Sequence, residues 1–142
     1  MAYFKEIVTK AIIGKAKKNT FLEHNVVTED NINTVLGCWV INHRFDGTNN
    51  DNAVTITGSF DVNIWYSYDN DTKTTVSTKK INYEEDMQVR VKEASPLTNT
   101  DIIVRSLKQP TVTDVSIKDG RVEMFIEKEL GVELVGDSKV KV

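Results

Sequence analysis

Cysteine is nearly missing from this chain: Cys38 stands alone among 142 residues. Without a second thiol an intramolecular disulfide is excluded, and with it a disulfide-stapled scaffold. Two prolines and seven glycines are too few for long flexible linkers. There are two histidines, His24 and His43, and neither sits in an HExxH, CxxC or similar ligand spacing, so no zinc site is indicated. No GxGxxG or GxxxxGK[ST] loop is present to cradle phosphate. No apolar run approaches the ~20 residues of a membrane span, and Met1–Glu6 lacks the basic-then-apolar layout of a signal peptide. Neither sign of charge dominates. Lysine plus arginine number 18 against 21 acidic residues, for a net charge of -3. That is too mild to predict nucleic-acid or membrane attraction, and the run Lys15-Ala16-Lys17-Lys18 lacks interleaved aromatics. What remains is an ordinary globular composition, 39% hydrophobic and 27% charged. The expectation is one domain over residues 1–142, made and kept in a reducing cytoplasm, with a core that needs no metal or disulfide.

The strongest pattern present is alternation. Val54, Ile56, Phe60, Val62, Ile64, Tyr66 and Tyr68 fall on one face, while Thr55, Thr57, Ser59, Asp61, Asn63 and Ser67 fall on the other. Period two is the signature of a strand with one side in a core. Gly58 interrupts the apolar series, which predicts a bulge or bend there. Asp69-Asn70-Asp71 predicts a tight turn, since such residues tolerate positive φ. Alternation resumes from Thr72 to Tyr83, so 53–68 and 72–83 read as a long β-hairpin. Short runs follow at Val35–Phe45, Met87–Lys92, Ile102–Arg105, Val115–Ile117, Val122–Glu127, Val132–Leu134 and Val140–Val142. Asp119-Gly120 adds a second hairpin signal. Asp46–Asn52, Ser95–Asn99 and Gln109-Pro110 read as turns. The predicted fold is all-β: an antiparallel sandwich or partly open barrel of about eight to ten strands. Residues 4–13 admit either a strand or a short N-terminal helix, because Phe4, Ile7, Val8, Ala11 and Ile12 recur at helical spacing.

Constellations that carry chemistry are sparse. A Cys38–His43 pair has the residue types of a nucleophile and base, but Cys38 lies in an apolar run and reads as a small buried hydrophobe, with a redox cross-link between subunits as its functional alternative. Asp46–Asn52 is rich in oxygen ligands without EF-hand order, so it reads as a turn. Paired carboxylates for hydrolysis would need Asp61 to meet Glu123 or Glu127. The acidic run Glu84-Glu85-Asp86 reads as a solvated connection or as a docking patch for a basic partner. Trp39 is expected in the core. Trp65 breaks the polar face of its strand, which reads equally as an interface aromatic or as part of a second small core under a loop or against another sheet.

Leu36-Gly37-Cys38-Trp39-Val40-Ile41-Asn42-His43-Arg44-Phe45-Asp46 resembles a characteristic stretch of the CotE family of outer spore-coat morphogenetic proteins. So does Gly58-Ser59-Phe60-Asp61-Val62-Asn63-Ile64-Trp65-Tyr66-Ser67-Tyr68, with the Asn70–Thr74 turn after it. Glu6–Ala11, Gln109-Pro110 and Val135–Val140 are similar to the family's opening and later segments, so the resemblance spans nearly the whole chain. Two departures stand out. Relatives from bacilli commonly continue into a long acidic tail, whereas this chain stops at Val142, as in a clostridium-like branch or a chain that has been cut. Cys38 stands where those relatives carry a second glycine.

The resemblance implies a protein of the mother-cell cytoplasm during sporulation and then of the spore coat. It implies self-association into a homo-oligomer or lattice, docking onto basement-layer proteins and recruitment of outer coat proteins. It favours strand over helix for residues 7–27. From the residues themselves, no enzyme activity, no cofactor, no nucleic-acid partner and no membrane insertion are expected. The expected self-assembly surface is the first strand and the hairpin, carried by Phe4, Ile7, Trp65, Tyr66 and Tyr68. Cys38 is the candidate inter-subunit thiol, and Glu84, Glu85 and Asp86 the candidate docking patch. The alternative from another class is a small-ligand or glycan-binding β-sandwich that uses Trp65 and Tyr66 beside the turn at Asp69.

Overall fold

The computed structural model describes residues 6–50, 53–89 and 100–141, with side chains over 10–49, 53–89 and 100–136. The described chain forms six strands: β1 (Glu6–Val26), β2 (Ile32–Asn50), β3 (Ala53–Tyr68), β4 (Lys73–Gln88), β5 (Asp101–Lys118) and β6 (Arg121–Lys141). They make two three-stranded antiparallel sheets, β1-β6-β5 and β2-β3-β4, packed face to face and not closed into a barrel. The all-β reading therefore holds. No helix occurs among the described residues, and 6–13 belong to β1.

The strands are fewer and longer than expected. Gln109-Pro110 does not end β5, because an edge strand can lose a donor on its free side. Register shifts on either side, at Ser106/Lys108, Lys108/Thr111 and Val112/Val115, absorb the irregularity. The three runs between Val122 and Val142 join into one strand, β6. Most of the oxygen-rich stretch, Asp46 to Asn50, pairs with β3 and is strand rather than turn.

The hairpin of β3 and β4 pairs without a register shift from Ala53↔Gln88 to Tyr68↔Lys73. Its turn places Asp69, Asn70 and Asp71 at positive φ, as residues with short polar side chains allow. The turn from β5 to β6 does the same at Asp119 and Gly120. The bulge expected at Gly58 lies instead on the neighbouring strand, between Ile41 and Arg44, where Asn42 takes φ 57. Gly58 itself pairs regularly with Phe45 on one side and Tyr83 on the other, and the ring of Tyr83 lies across it.

Central strands β3 and β6 supply the core. It divides into two apolar clusters, one around Val54, Ile56, Met87, Leu130 and Val132, the other around Phe60, Val62, Ile64, Tyr66, Met124 and Ile126. Each fully buried large side chain contributes roughly 1.5–3 kcal/mol. The sandwich is asymmetric along its sides. Strands β2 and β5 pack closely, with Ile102 and Val104 against the backbone at Gly47, whereas β1 and β4 barely touch. At that open seam Leu22 pairs with core residue Ile126, so it points inward, yet it remains 51% exposed.

Candidate functional site

The outer faces of the two sheets differ in chemistry. On β2-β3-β4 the register aligns Gly37, Trp65 and Val76 in one row, Trp39, Asn63 and Thr78 in the next, and Ile41, Asp61 and Lys80 in a third. Trp39 is 41% exposed and Trp65 42%, with Leu36, Ile41 and Val76 similarly open. Gly37 lets both indoles approach: a Cβ there would lie 3.7 Å from each ring. Asn63 is buried on this outward face, shielded by its neighbours, and its Oδ1 accepts a hydrogen bond from Thr78 Oγ1 at 2.6 Å. Asp61 accepts from Asn42 Nδ2 at 3.0 Å. An apolar patch framed by satisfied polar groups has the composition of a contact surface.

The outer face of β1-β6-β5 carries charge instead. Glu127, Glu129 and Glu133 of β6 meet Lys108, Asn19 and Arg105 on the flanking strands. Phe21 stacks on Phe125 with ring centroids 5.0 Å apart. Exposed pairs of this kind contribute about 0–1 kcal/mol each, so the face is soluble more than it is stabilised.

Between the apolar clusters lies a polar layer. Lys128 Nζ donates to Glu85 Oε1 at 2.7 Å and to Thr20 Oγ1 at 2.8 Å, with side-chain exposures of 5% for Lys128 and 8% for Glu85. The ammonium also sits 4.3 Å from the centroid of the Tyr83 ring, a cation–π contact. Tyr83 Oη shares a 2.6 Å hydrogen bond with His43 Nε2. Burial, and then the Glu85 charge, push the Tyr83 phenol up to about 12. Burial lowers the His43 pKa; the Gln109 side chain opposes the change and the Lys128 charge adds to it. His24 is lowered by burial and then by Lys128.

A pH dependence follows. Below 6.5 the unfolded chain binds protons on both histidines that the fold resists, so stability from this source is present above 6.5 and is lost as pH falls. The thermal midpoint should drop between pH 7.5 and 5.5, and His43→Gln should shrink that drop. A flat profile in the parent chain would contradict the assignment.

Each expected site residue has a definite place. Trp65 faces out, as its break in the polar series predicts. Trp39 faces out beside it, which corrects the expectation that it is core; bulges at Val35/Gly37 and Ile41/Arg44 set its facing. Tyr66 is 1% exposed on the opposite side, and its hydroxyl donates to Asp30 Oδ2 at 3.1 Å. It is therefore not part of an outer surface with Trp65, either for assembly or for a glycan. Tyr68 is half-buried and packs on Tyr66. Phe4 lies outside the described residues. Ile7 pairs with Val140 at the start of β1.

Cys38 is half-buried against the second apolar cluster, and burial pushes its thiol pKa up, which disfavours the reactive thiolate. Of the acidic run, Glu84 and Asp86 face outward, while Glu85 turns into the core to meet Lys128, so it is not part of an exposed patch. Asp61 stands on one outer face and Glu123 and Glu127 on the other, so the carboxylate pair considered for hydrolysis is not assembled. No group of three or more potential metal ligands gathers among the described residues. The polar layer escaped sequence reading, although one signal was there: Lys128 falls in register with Val122, Met124, Ile126, Leu130 and Val132.

A family model described as outer spore coat protein E (CotE) matches residues 3–142. This chain belongs to the CotE family. Membership makes it a protein of the outer spore coat, in a structural family of sporulation. The family match covers both sheets, the tryptophan face and the polar layer alike. No curated protein matches the chain. No solved structure matches it.

Proposed function

We propose that this chain is a self-associating, morphogenetic building block of the outer coat, laid around the forespore by the mother cell and used as a scaffold by other coat proteins. The observation that carries this reading is the pair of exposed indoles, Trp39 and Trp65, in one apolar patch on the β2-β3-β4 sheet. Aromatic residues centred in such a patch supply most of an interface's energy. Sheet edges add a second mode of contact through unpaired backbone groups. Repeated weak contacts then give a layer large avidity. Basement-layer and outer-coat proteins are the partners this reading implies, with Glu84 and Asp86 offered to a basic one. No catalytic step is part of it.

Trp65→Ala is the direct test. As a surface substitution it should change monomer stability by less than about 1 kcal/mol, while light scattering and electron microscopy report smaller and less ordered assemblies. Unchanged assembly would remove Trp65 from the interface. The same indoles could instead stack on sugar rings; a strictly monomeric protein that bound a glycan array through Trp65 would favour that alternative.

A further inference from the structure

We infer that β4 pairs edge to edge with β4 of a second copy of this chain, antiparallel about a two-fold axis at Asn82. The inference rests on the self-association proposed above and specifies one of its contacts. Among the described residues no strand pairs with the outer edge of β4, and that edge borders the open seam. Sequence supplies the complementarity. Around Asn82 the strand reads Lys79-Lys80-Ile81-Asn82-Tyr83-Glu84-Glu85, with charges of opposite sign placed symmetrically on either side. An antiparallel copy centred on Asn82 sets Lys80 opposite Glu84 twice, Ile81 opposite Tyr83 twice, and Thr78 opposite Asp86 twice. Lys80 and Glu84 are exposed on the outer face. Glu85 is held by Lys128, so the pair of Lys80 with Glu84 carries the charge match.

Lysines on an edge ordinarily discourage pairing; here they select one partner and one register. Centring the pair on Ile81 leaves no opposite charges face to face, and centring it on Tyr83 leaves only Lys80 against Asp86. The other edges are less suited. Strands β2 and β5 pack against each other along the closed side, and β1 carries Lys15, Lys17 and Lys18 in a run of one sign.

The seam beside β4 also has apolar surface to cover. His24–Val27 line a cleft of about 320 Å³ with Lys79, Lys80 and Ile81. Leu22 and Val27, on the strand that borders it and just beyond, are both more than half exposed. A two-fold axis through the sheet keeps equivalent outer faces on one side, so both Trp39–Trp65 patches of the pair face the same way. They stay available for the next level of assembly.

The test is a charge exchange read by sedimentation equilibrium, with circular dichroism confirming the fold. Lys80→Glu alone and Glu84→Lys alone each turn two attractions into two repulsions and should weaken association by at least about tenfold. The double exchange, Lys80→Glu with Glu84→Lys, should restore it. In a Cys38→Ala background, Asn82→Cys should oxidise to a disulfide-linked dimer, and neither Ile81→Cys nor Tyr83→Cys should match it. Wild-type association that is indifferent to the single exchanges, or is not rescued by the double one, overturns this contact and leaves self-association standing. A parent chain that is monomeric at every concentration overturns both.

Discussion

Lys128→Met should lower the free energy of unfolding by about 3–5 kcal/mol, the usual consequence of removing one partner from a buried ion pair. The substitution keeps side-chain volume and removes the ammonium. Glu85 is then left as a carboxylate 8% exposed, with Oε1 stripped of its donor and Oε2 already without a partner. Thr20 loses its donor too. The double variant Lys128→Met with Glu85→Leu should recover most of the loss, since replacing both charges by apolar groups is near neutral. Denaturant unfolding of the two single variants and the double closes the cycle, and a coupling below about 1 kcal/mol would mean the charges are better solvated than their burial indicates. The pair's value to the fold is positional. It joins β4 of one sheet to β6 of the other at a single level, which fixes how the sheets sit on each other. It also holds Glu85 inward, so that its neighbours Glu84 and Asp86 face out.

How far the fold was legible depends on where alternation survives. In β3 it survives on either side of Gly58, so the inward set from Val54 to Tyr66, the outward Trp65 and the positive-φ turn at Asp69–Asp71 could all be read directly, while the gap at Gly58 suggested a bulge that lies on β2. In β2 three register shifts exchange the faces, and a run such as Trp39-Val40-Ile41 shows apolar residues on both. A continuous apolar run looks buried, which is why Trp39 was expected inside. In β6 Lys128 and Gly136 interrupt the apolar register, and Gly131 interrupts the outward one. They read as strand ends because a buried lysine is unexpected unless its partner is known, and that partner lies on β4, far along the chain. The glycines have the same kind of explanation: Leu107 of β5 lies against Gly131, and Ile13 of β1 against Gly136. Partners across a sheet are tertiary facts, and no local pattern announces them. The tryptophan face was therefore half legible, through Trp65, and the polar layer hardly at all.

Gly58→Ala should be the most damaging substitution of a single methyl group, lowering stability by about 3 kcal/mol, the upper end of the range for overpacking. The position does not need glycine for its backbone angles, since Gly120 alone among the described glycines has positive φ. It needs glycine for space. A Cβ would collide with Cζ and Oη of Tyr83 on one strand and lie 2.7 Å from the carbonyl oxygen of Arg44 on the other. The carbonyl belongs to a paired backbone and cannot withdraw, so the tyrosine ring must. Its hydroxyl then leaves His43, and its face leaves Lys128, so the strain spreads into the polar layer. Gly131→Ala makes the contrast. There the obstruction is the end of Leu107, with its Cδ1 2.9 Å away, on an exposed and flexible side chain that can rotate aside. Its cost should stay near 1 kcal/mol or below. Urea midpoints for the two variants separate the cases. Similar losses in both would show that the ring of Tyr83 moves as freely as a surface leucine, and that the cluster around Lys128 is not the rigid joint between the sheets.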